Sequence, residues 1–282
     1  MNKTNNKVIS LPKSALPEIF HGSVHSPGNR LTGSRSEIWL CPAYCGATDV
    51  MLYVKPSLTL RQVVAELVVA QVARAMKLPV PQPYLVSVAP HCVGRPRGRA
   101  IMAFGSEQVG ARGLATPVKS LDLMLRMLQK AKAAEGTAVL DELVANDVRG
   151  PGDVVFDPEG SVWLIDHEAA LRKGLRTDQA VTNWVAARLK DNCLELDRAP
   201  LLAALRAQAV KARNLQLSGS PADMQHLNGA FQAYEQVLEF IQSRLEHLDQ
   251  LLSERILPEQ QYLAETPAKT PTLHDTARVT DL

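Results

Sequence analysis

The pattern of apolar residues changes type near Gly105, and this change limits the fold more than any other feature of the sequence. Before it, short runs with strand-type alternation are separated by turn residues; after it, apolar residues recur at helical spacing over long stretches. One hairpin interrupts the second part, with strand-type runs at 154–156 and 162–165 around the turn 157–160. A β-rich part is therefore expected to precede a mostly helical part, which makes an α+β fold.

One helix is predicted inside the β-rich part. Thr59 and Gln62 have the spacing of a capping box, apolar residues follow at helical intervals, and the segment Leu-Pro-Val-Pro at 78–81 ends the pattern. A helix is therefore expected over about 59–77. Strand-type runs surround it at 36–40, 50–54, 84–88 and 99–104.

The longest helix is predicted near the end of the chain. Helical patterns in the second part cover about 118–134, 137–145, 177–190, 198–214 and 221–257. In the last of these, apolar residues alternate at spacings of three and four, as in a heptad seam: Met224, Leu227, Phe231, Tyr234, Leu238, Ile241, Leu245, Leu248 and Leu252. The seam either packs against the chain's own helices or forms a coiled-coil contact with another protein through residues 221–257.

Domain boundaries follow from these patterns and from the composition of the two ends. Residues 1–18 are polar, contain two prolines and predict a flexible arm. Residues 258–282 are rich in threonine and proline and poor in large apolar residues, which predicts a disordered tail. Between them we expect a β-rich lobe over 19–105 and a helical lobe over 106–257.

Composition excludes several classes of protein. Of the 282 residues, 46% are hydrophobic and 21% are charged, values that are typical of globular proteins and exclude collagen-like and wholly disordered chains. The formal net charge of +2 is too small to predict nucleic-acid binding, and the four cysteines have no metal-ligand spacing. No apolar run is long enough for a membrane helix or a signal peptide, so no membrane contact is predicted and the cytoplasm is the expected location.

Two charged residues lie in surroundings that are otherwise apolar. Lys55 ends the strand-type run 50–54, and Glu66 lies in the predicted helix on a face rich in valine and leucine. A buried glutamate needs a cationic partner, and in phosphoryl transfer such a lysine binds nucleotide phosphates while the helix glutamate orients it. Taken alone, the two residues also fit an ordinary strand lysine and an exposed helix glutamate.

A second candidate site lies at the isolated hairpin. Asp153 directly precedes the hairpin and Asp166 follows it, so the two carboxylates are expected at its two ends. Oxygen ligands that converge there suit Mg²⁺, which is bound by one or two carboxylates together with substrate phosphates. Each aspartate on its own also fits a turn or a helix cap.

Several short motifs occur in a fixed order along the chain: Tyr-Val-Lys-Pro at 53–56, Ala-Glu-Leu at 65–67, Phe-Gly-Ser-Glu at 104–107, Ala-Asn at 145–146, Arg-Gly-Pro-Gly-Asp at 149–153 and Leu-Ile-Asp-His at 164–167. In order and spacing they resemble the HipA-like kinases, which are relatives of the phosphatidylinositol-kinase-like branch of the protein-kinase fold. The resemblance covers about residues 20–171. It implies a two-lobed kinase-like fold that binds ATP and Mg²⁺ and transfers phosphate to a serine or threonine of a protein substrate.

The resemblance also implies roles for individual residues. Lys55 would bind the phosphates, Glu66 would hold Lys55, and Asp166 would bind Mg²⁺. The other cofactor-binding positions would be Gly22 and Ser23 in a short phosphate loop and Phe104, Gly105 and Ser106 in the hinge that holds adenine.

The catalytic loop departs from the pattern that the resemblance implies. That loop reads Asn-x-Asp-Arg-His-x-Gly-Asn in the family, and the matching segment of this chain, 146–153, begins with the same asparagine, Asn146. The position of the catalytic aspartate holds Val148, and the second metal ligand is Asp153 in place of asparagine. Only Asp147 could supply the missing carboxylate, and a remodelled loop would be needed because a general base must be within hydrogen-bond reach of the acceptor.

The sequence leaves three hypotheses open. The first is an ATP-dependent kinase that phosphorylates a protein. The second is a pseudokinase of the same fold that acts as a binding or scaffold module, because Val148 cannot accept a proton. The third is an interaction protein whose long helix is its working part. The first two hypotheses differ in whether phosphate can be transferred with Val148 at the catalytic position. Both of them give Lys55 and Asp166 a role in the site, whereas the third does not.

Overall fold

The structure is a computed structural model that describes residues 14–33, 36–218 and 229–257. The predicted tail, 258–282, and the predicted arm up to residue 13 lie outside these residues, as do the first two residues of the predicted seam. Within the described part, six α-helices follow and accompany a β-rich region, so the expected mixture of α and β structure is confirmed.

Most strands of the first part belong to one sheet. The strands are β1 (Ser14–Ala15), β2 (Phe20–Val24), β3 (Asn29–Arg30), β4 (Trp39–Cys45), β5 (Thr48–Lys55), β6 (Pro83–Val88) and β7 (Ile101–Glu107). The sheet has the order β2-β6-β7-β5-β4-β3, and β2 and β6 are its parallel pair. A bridge between Ser23 and Tyr44 also joins β2 to β4, so five of these strands form a closed ring.

Helix α1 (Leu60–Ala75) follows β5 and carries the predicted capping box. The Thr59 hydroxyl accepts a hydrogen bond from the backbone of Gln62, and the Gln62 side chain accepts one from the backbone of Thr59. Every residue from 63 to 73 is buried. A helix that is apolar on all sides is packed on all sides, and α1 contacts β6 and β7 as well as the helices that follow. This position brings Glu66 into the interior.

The second part is mainly helical, as predicted. Its described helices are α2 (Leu121–Lys130), α3 (Ala134–Leu143), α4 (Trp184–Asp191), α5 (Arg198–Arg213) and α6 (Ala230–Ile256). The short strands of this part are β8 (Thr116–Pro117), β9 (Val154–Phe156), β10 (Val162–Leu164) and β11 (Leu215–Gln216). The predicted hairpin is β9 with β10, which β8 extends to three strands, and β11 pairs in parallel with β1.

Helix α4 begins later than the sequence pattern predicts. We expected a helix over 177–190, whereas the structure has Asn183 as the residue that caps its N-terminus. The preceding residues stay outside the helix because their backbone carbonyls accept hydrogen bonds from Arg244 of α6. Its Nη1 donates to the backbone oxygens of Arg176, Thr177 and Gln179.

The heptad seam of α6 is used inside the chain. Within the described part of the seam, every residue except Phe231 is buried. Helix α6 packs against α1, α3 and α5. Of the two alternatives for the seam, the structure therefore supports packing of its described part against the chain's own helices. Across the described ranges, no helix has both the length and the apolar character needed to cross a membrane.

Candidate functional site

The end of strand β5 carries a lysine that is bound by three carboxylates. Lys55 is buried, and its Nζ donates to Glu66 Oε1 at 2.6 Å. It also donates to Asp166 Oδ1 and to Glu168 Oε2, both at 2.8 Å. A protonated lysine has three hydrogens to donate, so these contacts use its full donor capacity. The predicted contact between Lys55 and Glu66 is present, whereas the contact of Lys55 with Glu168 was not predicted from the sequence.

Glu66 joins three elements through its two oxygens. While Oε1 accepts from Lys55, Oε2 accepts from the backbone nitrogen of His167 at 2.9 Å. The carboxylate therefore ties α1 to the end of β5 and to the segment that follows β10. Its side chain is only 1% exposed, so it is the least accessible of the three carboxylates.

Asp166 lies in a turn with unusual backbone geometry. Its φ is 61°, in the left-handed region that few non-glycine residues adopt and that aspartate tolerates better than most. The turn starts beside Asp153, because the Ile165 nitrogen donates to the Asp153 carbonyl at 2.9 Å. The Asp166 side chain is 40% exposed, which makes it the most accessible carboxylate on Lys55.

The cluster carries more negative than positive charge. Burial on its own would lower the pKa of Lys55, but the charges of Glu66, Asp166 and Glu168 outweigh burial and raise that pKa above its ordinary value. Lys55 is therefore protonated at neutral pH, and a single positive charge faces three carboxylates.

Asp153 lies next to this cluster, at the other end of the hairpin. Burial raises its pKa, and the charge of Asp166 adds to this, although the Gly150 nitrogen opposes both by donating to Asp153 Oδ2 at 2.7 Å. Asp153 and Asp166 both line the cavity described below. An all-oxygen donor set of this kind fits Mg²⁺, so the residues present suit the predicted metal.

A cavity of about 720 Å³ opens beside the cluster. It lies between β5 and β7 of the large sheet, α1, and the hairpin of β9 and β10. Its apolar wall includes Ile38, Tyr53, Val80, Phe104, Val155 and Leu164. Its charged wall includes Lys55, Glu66, Asp153, Asp166 and Glu168. Apolar walls with a few converging polar groups are typical of sites for small molecules.

Two of the three predicted hinge residues line the cavity. Phe104 and Ser106 face it, but Gly105 does not, because successive strand residues point to opposite faces. A Cβ at Gly105 would lie 3.2 Å from Leu52 and 3.3 Å from Val86, both inside the closed ring. Glycine here allows close packing of the ring interior.

The predicted phosphate loop is placed elsewhere. Gly22 and Ser23 lie inside strand β2, paired with Val86 and Ser87 of β6, and neither lines the cavity. A Cβ at Gly22 would lie 2.7 Å from Cys45 Sγ, so this glycine serves strand packing. The structure therefore places Gly22 and Ser23 in the sheet and not among the residues that line the cavity.

A different loop lies over the cavity, the turn between β3 and β4. The Leu31 nitrogen donates to the Ile38 carbonyl at 2.9 Å, and between them Thr32 and Gly33 line the cavity. The Ser36 hydroxyl donates to Glu168 Oε1. The signal for this loop was present in the sequence as a glycine- and serine-rich turn directly before the hairpin that carries Lys55. We call the described residues 31–33 and 36–38 the cavity loop.

The two predicted catalytic residues do not reach the cavity. Asn146 is buried and donates to Asp141 Oδ1 at 3.2 Å, while Asp147 Oδ2 forms an ion pair of 2.9 Å with Arg172. Val148 of this loop does line the cavity and is 49% exposed, and residues 150–153 of the same loop line it as well. The position that the resemblance assigns to the catalytic aspartate therefore faces the cavity with an apolar side chain.

A buried ion pair holds this loop in place. Arg149 Nε donates to both oxygens of Asp141, at 2.8 and 2.7 Å, and its Nη2 lies 3.3 Å from His167 Nδ1. Because arginine only donates hydrogen bonds, Nδ1 must be the acceptor nitrogen of a neutral ring. Burial first, and then the charges of Arg149 and Lys55, lower the pKa of His167 well below its ordinary value. The pair fixes Val148 relative to the charged cluster.

No protein-family model matches the chain, and no curated protein matches it significantly. Among solved structures, it is similar to the Helicobacter pylori proinflammatory kinase CtkA, with a TM-score of 0.47 and 11% sequence identity. That match covers 84% of this chain and 99% of the other.

Proposed function

We propose that this protein binds ATP with Mg²⁺ in the cavity and is a HipA-like kinase that phosphorylates a serine or threonine of a protein. The observation that supports the proposal is the contact of Lys55 with both Glu66 and Asp166. A strand lysine, a helix glutamate and an aspartate after a hairpin meet at one wall of the cavity, which is the arrangement that phosphoryl transfer uses.

Each side of the cavity has a part in this proposal. Lys55 would bind phosphate oxygens, and Phe104 and Ser106 would hold the base. Asp153 and Asp166 would hold Mg²⁺, which when bound neutralises phosphate charge. The sheet with α1 would be one lobe of a kinase-like fold and the remaining helices the other, with the cavity between them.

Binding of nucleotide can be tested by a thermal shift with Mg-ATP. At a hundredfold excess over the dissociation constant, the wild type should gain about 2.7 kcal/mol of stability. The double variant Lys55→Met, Asp166→Asn should lose this gain, because the phosphate and metal contacts are both removed, whereas Asp249→Asn, on the surface of α6, should keep it. An equal shift in the wild type and the double variant would contradict the proposal.

A pseudokinase is the second candidate, and the position of Val148 favours it. A general base contributes about 10²–10⁴-fold to a rate, and Val148 cannot act as one. We therefore expect binding of Mg-ATP with slow phosphotransfer in the wild type.

The variant Val148→Asp separates the two candidates. If the protein is a weak kinase, transfer of labelled γ-phosphate to itself or to casein should rise by about 10² or more, with unchanged Mg-ATP affinity. If transfer does not rise while Mg-ATP still binds, the protein is a binding module rather than a kinase.

A further inference from the structure

The carboxylates around Lys55 leave none of its hydrogens for a phosphate. All three hydrogens of its ammonium group are taken by carboxylates, at 2.6, 2.8 and 2.8 Å. An anionic ligand can therefore reach Lys55 only if one of these carboxylates leaves. The identity of that carboxylate decides how the site opens.

Glu66 and Asp166 are each fixed by the surrounding backbone. Glu66 is buried in α1, and its second oxygen accepts from the nitrogen of His167. Asp166 lies in the left-handed turn whose start is pinned by the hydrogen bond from Ile165 to Asp153. Moving the Glu66 carboxylate would also break its hydrogen bond with the His167 nitrogen, and Asp166 is the residue to which the proposed function assigns Mg²⁺.

Glu168 is held differently. It reaches Lys55 with one oxygen of a longer side chain, and its other oxygen accepts from the hydroxyl of Ser36. Ser36 belongs to the cavity loop, so Glu168 links the cation of the site to the loop above it. Its side chain is 16% exposed, and rotation about its own bonds is enough to release both contacts.

We infer that Glu168 occupies the position on Lys55 that a nucleotide phosphate takes, and that the phosphate displaces it. This inference rests on the proposed binding of nucleotide. The Glu168 carboxylate is an internal competitor for the ligand, and its displacement from Lys55 also breaks its contact with Ser36. Binding exchanges one anion for another on Lys55.

The test is the affinity for Mg-ATP, measured by titration calorimetry, of variants that remove this competitor. Glu168→Gln keeps the size of the side chain but not its charge, and Glu168→Ala removes the group altogether. Each should bind Mg-ATP about tenfold more tightly than the wild type, because displacement no longer breaks a charge-assisted hydrogen bond. Two variants are used so that poor folding of one does not decide the result.

A matched control is Glu37→Gln, beside Ser36 in the cavity loop. It removes the same charge, but Glu37 contacts Trp39, Ser57 and Arg95 and is not bound to Lys55. It should bind Mg-ATP as the wild type does. Adenosine, which has no phosphate, should bind equally to the wild type and to Glu168→Gln.

The outcomes separate this inference from the function on which it rests. If the wild type binds Mg-ATP and the Glu168 variants bind it no more tightly, the inference is overturned and the proposed function stands. An equal gain for Glu37→Gln, or an equal gain for adenosine, also overturns it, because general charge or cavity shape would then explain the effect. If none of the proteins binds Mg-ATP, both the inference and the proposed function fail.

Discussion

Two ionic clusters connect the helices to the rest of the chain, and their charges are unbalanced in opposite directions. At the cavity, one lysine faces three carboxylates. Beneath α6, one carboxylate faces two arginines: Glu142 lies 3.1 Å from Arg244 and 3.0 Å from Arg255. The first cluster borders a cavity, whereas Glu142 and Arg244 are fully buried.

The two clusters differ in which groups balance their excess charge. Arg244 donates to backbone carbonyls of its surroundings, those of Glu142, Arg176, Thr177 and Gln179. These carbonyl oxygens accept from the Arg244 donors that the Glu142 carboxylate does not use, so the chain itself supplies the partners of the buried cluster. At Lys55 the surplus is negative and faces an open volume, where a cation from solution can complete it. An unbalanced ionic cluster is therefore structural when backbone groups of the chain supply the missing partners. When the cluster instead faces a cavity, it points to a ligand.

The strongest test of this comparison is Glu142→Gln. The substitution removes the carboxylate from two arginines, of which Arg244 is fully buried, and should cost about 3–5 kcal/mol of unfolding free energy. Denaturant unfolding measures this cost. As a control, Asp249→Asn breaks an exposed pair with Arg206 and should cost less than about 1 kcal/mol. Similar losses for both variants would mean that the buried cluster contributes no more than a surface pair.

Lys55→Met should cost less than Glu142→Gln, about 1–3 kcal/mol. The three carboxylates that lose their cation border the cavity, where water can reach them, whereas Arg244 is fully buried. The same unfolding measurement compares the two variants directly. If Lys55→Met costs as much as Glu142→Gln, the cavity cluster is structural and the contrast between the two clusters is lost.

The smallest expected effect is that of Mg²⁺ without nucleotide. In Lys55→Met the ammonium group no longer competes for the carboxylates, so MgCl₂ should stabilise this variant more than the wild type. At fivefold excess over the dissociation constant the gain is about 1 kcal/mol, measured as a thermal shift against NaCl of equal ionic strength. Equal shifts for the two proteins would show that the carboxylates do not act as a cation site.

Features that depend on neighbouring residues could be predicted from the sequence. The capping box at Thr59 and Gln62 gave the start of α1, and the turn at 157–160 gave the hairpin of β9 and β10. The contact of Lys55 with Glu66 also follows from local order, because a strand end and the next helix carry the two residues.

Features that depend on distant pairing could not be predicted. Strand β2 pairs in parallel with β6, but the alternating pattern of a strand does not indicate which other strand it pairs with. For this reason Gly22 was assigned to a phosphate loop although it packs inside the sheet. Glu168 was missed because its role depends on Lys55 and on Ser36, which lie far from it in sequence. The backbone acceptors of Arg244 could not be predicted from a local pattern either, because they lie far from it in sequence.

The pairing of β1 with β11 has a consequence for how fast the chain folds and unfolds. Ser14 pairs with Leu215, which lies far from it in sequence, so the contact closes a very long loop and gains little until the intervening structure has formed. Such a contact is expected to form after the rate-limiting step of folding. Weakening it should then leave the folding rate nearly unchanged and raise the unfolding rate, which makes this two-residue strand pair a determinant of the lifetime of the native state.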